Sequence, residues 1–158
     1  MTQNLTNHGP KIALFEPDIP QNTGNILRLG ACLGVEVDII EPTGFIFDDK
    51  KLKRSSMDYI NHINFKRHLD WNTFYNWAKN NNYEIILVTT KSSIKYTEHL
   101  YKKNNILLFG KESGGVPKYV HEEIMKTVTI PMVKGLRSIN LSSSVAIVVS
   151  EACRQLNW

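Results

Sequence analysis

Three segments of the sequence combine glycine with short polar side chains, a composition typical of loops that hold a ligand. They cover residues 20–25, 110–117 and 132–144. The glycines of the second segment would let the backbone come close to a flat ligand. The third segment supplies short polar side chains ahead of a predicted helix, namely Ser138, Asn140 and Ser142. Together the segments predict a small ligand held by backbone groups near a helix N-terminus, although the glycines of any one loop could also serve only to make turns.

Several common kinds of site are excluded by the same residues. No G-x-G-x-x-G follows a predicted strand, so the dinucleotide-binding fingerprint is missing. After Lys111, Glu112 stands where a phosphate-binding loop requires Ser or Thr. The nucleophile elbow of hydrolases, G-x-S-x-G, requires glycine two positions before the serine, and Ser113 has Lys111 there. The segments therefore predict binding rather than nucleophilic catalysis by a serine.

Short apolar runs alternate with amphipathic stretches along the chain. The runs predict strands over residues 11–16, 35–40, 85–89, 106–109 and 128–131. Helices are predicted between them, with Asn22 or Thr23 capping the first and Ser142 capping the last. This order predicts one α/β domain over residues 1–158, a parallel sheet with helices on both faces. Each polar segment follows a predicted strand, at the edge of the sheet where such folds bind ligands.

The composition is that of an ordinary globular protein. Of 158 residues, 42% are hydrophobic and 22% are charged, which excludes a disordered or collagen-like chain. The longest uncharged apolar stretches fall far short of the roughly 20 residues that span a membrane. Residues 1–10 lack the regions of a secretory signal. We therefore expect a cytoplasmic protein without a membrane segment, in which residues 1–10 form a flexible tail.

Cysteine and histidine show no pattern typical of a metal site. Cys32 and Cys153 lie in apolar helical contexts and are predicted to be buried thiols. Neither has a Cys or His partner at the spacing of zinc ligands. The histidines outside the tail lie in polar stretches, so we expect them to be exposed. We predict no metal ion.

The positive charge of the chain is concentrated in one run. The net charge is +4, and Lys50, Lys51, Lys53 and Arg54 place four cations in five positions. Such a run is either a solvated face or a contact for a polyanion such as RNA.

Taken in order, the three polar segments resemble the three motifs of the SPOUT-class RNA 2'-O-methyltransferases of the SpoU branch. The similarity extends from Ile12 to Leu156, with Gly114 departing from a larger or basic residue in many relatives. Segments 41–45, 48–54 and 57–59 resemble a subgroup that acts on the wobble nucleotide of tRNA. The matching motif residues are Asn22, Gly24, Asn25 and Arg28; Gly110, Glu112, Gly115 and Pro117; and Ile130, Pro131, Met132, Ser138, Asn140, Leu141 and Ser142.

The resemblance implies an α/β fold whose C-terminal part forms a trefoil knot. It also implies a homodimer that binds S-adenosylmethionine in the knot, with each active site completed by the partner chain. By motif position, the cofactor-binding residues are expected to be Val88, Gly110, Ile130 and Ser138, together with Thr89, Glu112, Met132, Leu136 and Leu141.

The implied reaction is methylation of the ribose 2'-hydroxyl of nucleotide 34, a cytidine or modified uridine. Arg28 is expected to stabilise the developing alkoxide electrostatically, since a guanidinium keeps its proton and is a poor base. Asn25 and Asn140 complete the expected catalytic set. The basic run at residues 50–54 would contact phosphates of the tRNA anticodon arm.

Three alternatives stay open at this point. The chain could methylate another tRNA or rRNA site, or it could be a non-catalytic RNA-binding relative that keeps the fold. A flavodoxin-like nucleotide-binding protein is the third alternative, and the missing phosphate fingerprint disfavours it.

Overall fold

The computed structural model describes residues 9–48, 50 and 62–157. Within them lies one six-stranded sheet in which every strand pair is parallel. Its strands are β1 (Lys11–Phe15), β2 (Val37–Ile40), β3 (Phe65–His68), β4 (Glu84–Val88), β5 (Asn105–Phe109) and β6 (Lys126–Val128). Their spatial order is β3-β2-β1-β5-β4-β6. The strands β2 and β3 lie on one side of β1, and β5, β4 and β6 lie on the other. The direction of strand addition therefore reverses between β1 and β5, which makes this position a topological switch point.

Helices cover both faces of this sheet, as the sequence predicts. They are α1 (Pro20–Leu33), α2 (Trp71–Asn80), α3 (Lys118–Glu123) and α4 (Leu141–Gln155). Successive strand residues point to opposite faces. Ile12 and Leu14 of β1 belong to the core shared with α1 and α4, whereas Ala13 and Phe15 belong to the core shared with α2 and α3.

The first and last helices begin earlier in the chain than the predicted N-caps indicate. The N-cap of α1 is Ile19, which makes no side-chain capping bond, so the predicted caps Asn22 and Thr23 lie inside the helix. The N-cap of α4 is Asn140 rather than Ser142, because the Asn140 side chain accepts from the backbone N–H of Ser143. Asn and Ser are nearly equal as caps, so composition alone could not separate them.

The edge strand β3 was not predicted from the sequence. Its two central residues, Lys66 and Arg67, are charged and exposed, so the strand contains no apolar run that would predict it. The strand exists because its backbone pairs with β2, and charged side chains are common on edge strands. Its last residue, His68, is 3% exposed, so the expectation of an exposed histidine was wrong here.

Other differences are small or local. The last strand is Lys126–Val128, earlier than the predicted 128–131. Cys153 is buried as expected, but Cys32 is exposed. Gly9 and Pro10, at the end of the predicted tail, are buried. Most of the basic run, residues 51–54, lies outside the described residues.

An ionic cluster is buried between the sheet and α2. His68 Nε2 lies 2.7 Å from Asp38 Oδ1, and Lys11 Nζ lies 3.7 Å from Asp38 Oδ2. Lys11 also pairs with Glu36. Burial pushes the pKa of Lys11 down, but the nearby Asp38 and the hydrogen bond to Glu36 outweigh it and raise the pKa. Asp38 therefore balances two side chains that the fold has removed from water.

Replacing Asp38 is expected to destabilise the fold strongly. Asp38→Ala leaves the buried His68 without its partner and Lys11 with Glu36 alone, and removal of one member of a buried ion pair costs about 3–5 kcal/mol. The free energy of unfolding in urea measures this loss. Glu98→Ala, which breaks an exposed Lys95–Glu98 pair, is the matched control and should change it by less than about 0.5 kcal/mol. Equal effects of the two variants would contradict the role given to Asp38.

Candidate active site

A cleft of about 450 Å³ opens at the carboxyl ends of β4 and β5. Leu87, Val88 and Phe109, at the ends of these strands, contribute apolar surface. The loop after β5 and the segment between β6 and α4 form its walls, and the N-terminal turn of α1 borders it through Ile19 and Asn22. Loops that are far apart in sequence meet here because all strands of the parallel sheet end at the same edge.

Most of the predicted site residues line this cleft, and a few do not. Asn25 and Arg28 lie on the exposed side of α1 and are not among the lining residues. Leu136 is also outside the lining and is 68% exposed. The predicted residues that do line it are Val88, Thr89, Gly110, Glu112, Ile130, Met132, Ser138, Asn140 and Leu141.

The loop after β5 folds tightly onto itself. The backbone N–H of Gly115 donates to the carbonyl of Lys111 at 2.8 Å, and the N–H of Lys111 donates back at 3.1 Å. A Cβ on Gly110 would lie 2.5 Å from the backbone of Gly115, and Gly115 itself has φ of +66°. Both positions therefore require glycine, one for close approach and the other for its left-handed backbone.

The carboxylate of Glu112 points from this loop to the beginning of α1. Its Oε2 accepts from the backbone N–H of Asp18 at 2.7 Å. Its Oε1 accepts from the N–H of Ile19 at 3.3 Å and from Asn22 Nδ2 at 3.1 Å. Glu112 therefore connects a distant loop to the two backbone N–H groups just before α1 and to a side chain of its first turn, where the N-cap Ile19 makes no side-chain capping bond.

A second contact crosses the same junction. Asp18 Oδ2 accepts from the backbone N–H of Ser113 at 3.0 Å, and hydrogen bonding from Ser113 lowers the pKa of the Asp18 carboxyl. The loop after β5 and the segment before α1 thus each donate to a carboxylate of the other.

Asn140 connects the third polar segment to the first. Its Nδ2 donates to Asn22 Oδ1 at 3.2 Å, while its Oδ1 accepts from Ser142 Oγ at 2.7 Å and from the N–H of Ser143 at 3.2 Å. Asn22 is only 6% exposed and stands between Asn140 and Glu112. Asn22 was predicted as a helix cap, and its place among the residues of the first motif was the signal that could have identified it as a site residue.

Among the described residues that line the cleft, positively charged side chains outnumber negatively charged ones. Lys91, Lys111 and Arg137 line it, and Glu112 is the one carboxylate among the described lining residues. Lys111 Nζ lies 3.4 Å from Glu16. Lys91 and Arg137 were not predicted as site residues. Of the predicted basic run, Lys50 is exposed, whereas Lys51, Lys53 and Arg54 lie outside the described residues.

The fold and this cleft define a class of protein that comparison with known families identifies. The model of the SpoU rRNA Methylase family matches residues 10–150. The chain therefore belongs to the SpoU rRNA methylase family.

Two of its relatives are similar over nearly their whole length. A tRNA (cytidine(34)-2'-O)-methyltransferase from Beijerinckia indica subsp. indica is 43% identical over 145 residues, covering 92% of this chain and 91% of the relative. A solved structure described as giving insights into 2-OH methylation of C/U34 on tRNA has a TM-score of 0.89 at 33% identity, covering 96% of this chain and 99% of that chain.

The fold is also shared with a structure that contains a cofactor. An AdoMet-bound rRNA methyltransferase from Sinorhizobium meliloti has a TM-score of 0.82 at 24% identity, covering 94% of this chain and 57% of that chain.

A methyl group added at Gly110 is expected to distort the cleft. In Gly110→Ala the new Cβ would collide with the Gly115 backbone, and overpacking of this kind costs about 1–3 kcal/mol. Urea unfolding measures the loss. Gly114→Ala is the matched control, since nothing lies within 4 Å of its Cβ position; a loss as large as that of Gly110→Ala would show that the close approach is not what limits this loop.

Proposed function

We propose that this chain methylates the ribose 2'-hydroxyl of the wobble nucleotide 34 of tRNA, a cytidine or modified uridine, with S-adenosylmethionine as the methyl donor. The single observation that carries the proposal is the meeting of all three motif segments at one cleft. The relative from Beijerinckia indica, whose name states this activity, supports the choice of nucleotide.

The residues of the cleft fit S-adenosylmethionine. Its volume lies in the range of small-molecule sites. Leu87, Val88 and Ile130 offer apolar surface for an adenine ring, and the loop from Gly110 leaves backbone groups within reach of a ligand. Both oxygens of the lining carboxylate, Glu112, already accept hydrogen bonds. The lining cations suit the carboxylate end of the cofactor.

The chemistry asks this chain mainly to align two reactants. When bound, the cofactor supplies a methyl group on a cationic sulfur. The chain would hold the ribose in line with it, and positioning of this kind contributes about 7–11 kcal/mol to the rate. Arg28 would stabilise the negative charge that develops on the 2'-oxygen. Asn25 and Asn140 would orient the ribose and the adjoining loop.

Arg28 and Asn25 support a homodimer, since neither lines the cleft of its own chain. We propose that each cleft is completed by Arg28 of a second copy, and that exposed apolar residues such as Val133 and Leu136 take part in the assembly. We also propose that the segment between β6 and α4 is threaded as the trefoil knot. Both features rest on the family resemblance.

The RNA partner is proposed to be the anticodon arm of tRNA. Lys50, Lys51, Lys53 and Arg54 would contact its phosphates, and Lys91 and Arg137 extend the positive charge to the cleft. A cytoplasmic location and a single domain remain predictions, and residues 1–8 of the tail predicted over residues 1–10 lie outside the described residues. No helix among the described residues has the length and apolarity to cross a membrane.

The alternatives of another RNA target and of a non-catalytic relative are separated by one measurement. Purified protein is incubated with unmodified tRNA and labelled cofactor, and the nucleosides are analysed by mass spectrometry. The proposal requires label in 2'-O-methylated nucleotide 34. Label at another position, or no transfer by a folded protein that binds the cofactor, would refute it.

Replacement of Arg28 is expected to slow methyl transfer without weakening cofactor binding. Arg28→Ala should lower kcat by about 100-fold or more, the loss typical when a group that stabilises an oxyanion is removed. Calorimetric Kd for S-adenosylmethionine should change by no more than about twofold. Arg154→Ala, which removes an exposed helix cation paired with Glu151, should keep full activity. An unchanged kcat in Arg28→Ala would exclude this role.

Neutralising the basic run should weaken RNA binding in a salt-dependent way. Each phosphate contact that is lost reduces the slope of log K against log salt by about 0.7–0.9. We expect the variant with Lys50, Lys51, Lys53 and Arg54 changed to alanine to show a smaller slope in tRNA binding. Lys118→Ala, an exposed lysine of α3, is the control. An unchanged slope would assign the run to a solvated face.

A further inference from the structure

Most of the hydrogen-bonding capacity of the Glu112 carboxylate is used by the protein itself. Three donors meet its two oxygens, at 2.7, 3.1 and 3.3 Å. All three belong to residues 18–22, at least 90 positions away in sequence. A carboxylate engaged in this way has little capacity left for a ligand, so its place in the lining has to be explained by something other than cofactor binding.

The donors that Glu112 satisfies lie at the N-terminus of α1. A helix begins with backbone N–H groups that lack partners within the helix, and its N-terminus carries partial positive charge. The α1 N-cap, Ile19, has no side-chain oxygen with which to accept from them. Glu112 accepts from the N–H of this N-cap, from the N–H of Asp18 before it and from the Asn22 side chain in the first turn, and it places negative charge there. These contacts fix where α1 starts relative to the loop after β5.

Asn22 extends this connection to α4. It donates to Glu112 through Nδ2 and accepts from Asn140 through Oδ1, while Asn140 caps α4. Its burial and its two directional bonds leave it one orientation. The starts of α1 and α4 and the loop after β5 are therefore held by one continuous set of side-chain hydrogen bonds.

The same turn of α1 leads directly to the expected catalytic residues. Asn25 and Arg28 follow Asn22 by three and six residues, which is about 4.5 and 9 Å along the helix axis. A rotation or shift of the α1 N-terminus would be transmitted to both, because a helix moves as a rigid element.

We propose that Glu112 and Asn22 are positioning residues, which set α1 and the Arg28 that it presents to the cleft of a second copy, and that Glu112 is not a ligand of the cofactor. The inference rests on the proposed function. It replaces the cofactor-binding role that the family resemblance implied for Glu112 and assigns a role to Asn22.

The hydrogen bond between Asn22 and Glu112 can be tested by exchanging the carboxylate and the amide between the two side chains. In Glu112→Gln the side-chain oxygen can still accept from the N–H of Asp18, but its NH₂ group faces Asn22 Nδ2 and the N–H of Ile19, donor against donor. In Asn22→Asp two carboxylates face each other instead. The double variant E112Q/N22D restores the donor–acceptor pair between the two side chains, keeps the total charge and leaves an oxygen for Asn140 Nδ2; only the 3.3 Å contact from Ile19 stays unrepaired. We therefore expect it to recover most of what each single change loses.

The measurements are kcat for tRNA methylation, the calorimetric Kd for S-adenosylmethionine and the midpoint of thermal unfolding. Each single variant should lower kcat by about 10- to 100-fold, the effect of a misplacement on the order of 1 Å, with Kd changed by less than about threefold. E112Q/N22D should regain at least about tenfold in kcat over either single variant. Glu122→Gln, which removes an exposed charge from α3, should match the wild type in all three measurements.

The outcomes distinguish failure of the inference from failure of the proposed function. If the wild-type protein does not methylate tRNA, the function is wrong; the inference is then also overturned. If the wild type is active but Glu112→Gln raises the Kd for the cofactor about tenfold or more, Glu112 is a ligand and the inference alone fails. Independent, multiplicative losses of kcat in E112Q/N22D would likewise overturn it. The unfolding midpoint is measured for every variant, so a loss of kcat in a single variant that comes from general unfolding is recognised as such.

Discussion

The contact between the Glu112 carboxylate and the N-terminus of α1 determines how the polar segments of this chain are arranged. A parallel sheet brings the ends of its strands to one edge, but it does not set the angle of the helix that leaves that edge. In this chain the helix after β1 has no cap of its own. The backbone N–H groups of Asp18 and Ile19, just before this helix, bond to Glu112, a residue that follows β5. The helix start therefore depends on a neighbouring strand, and β1 and β5 must be adjacent for the site to form.

The elements that position the site could be predicted because their patterns are local. The apolar runs of β1, β4 and β5 lie in buried strands, and the three polar segments follow strands, as expected. The edge strand β3 could not be predicted, because its stability comes from pairing with β2 rather than from an apolar run. His68 was misjudged for the same reason: only the fold reveals that Asp38, thirty residues earlier, lies beside it.

Within the site, residue types indicated which segments meet but not which atoms they share. Gly110 and Gly115 were identified as places of close approach, and the structure shows that the approach is between the two glycines themselves. Glu112 was expected among the cofactor-binding residues, but the partners of its carboxylate are backbone and side-chain donors at least 90 residues away. Asn22 carried a clear signal in its motif position, yet a short polar residue near a helix start is more often a cap. Long-range hydrogen bonds have no period in the sequence, which is why they escape pattern analysis.

The electrostatic character of the cleft follows from the same contacts. Glu112 would be expected to make the cleft acidic, and to compete with any anionic partner, if its charge faced the ligand. Because its oxygens face backbone and amide donors at the start of α1, that charge is largely balanced within the protein. Lys91 and Arg137 then dominate what a ligand meets at the rim. A polyanion is attracted to a surface of this charge, because the one carboxylate among the described lining residues directs its oxygens to donors within the protein.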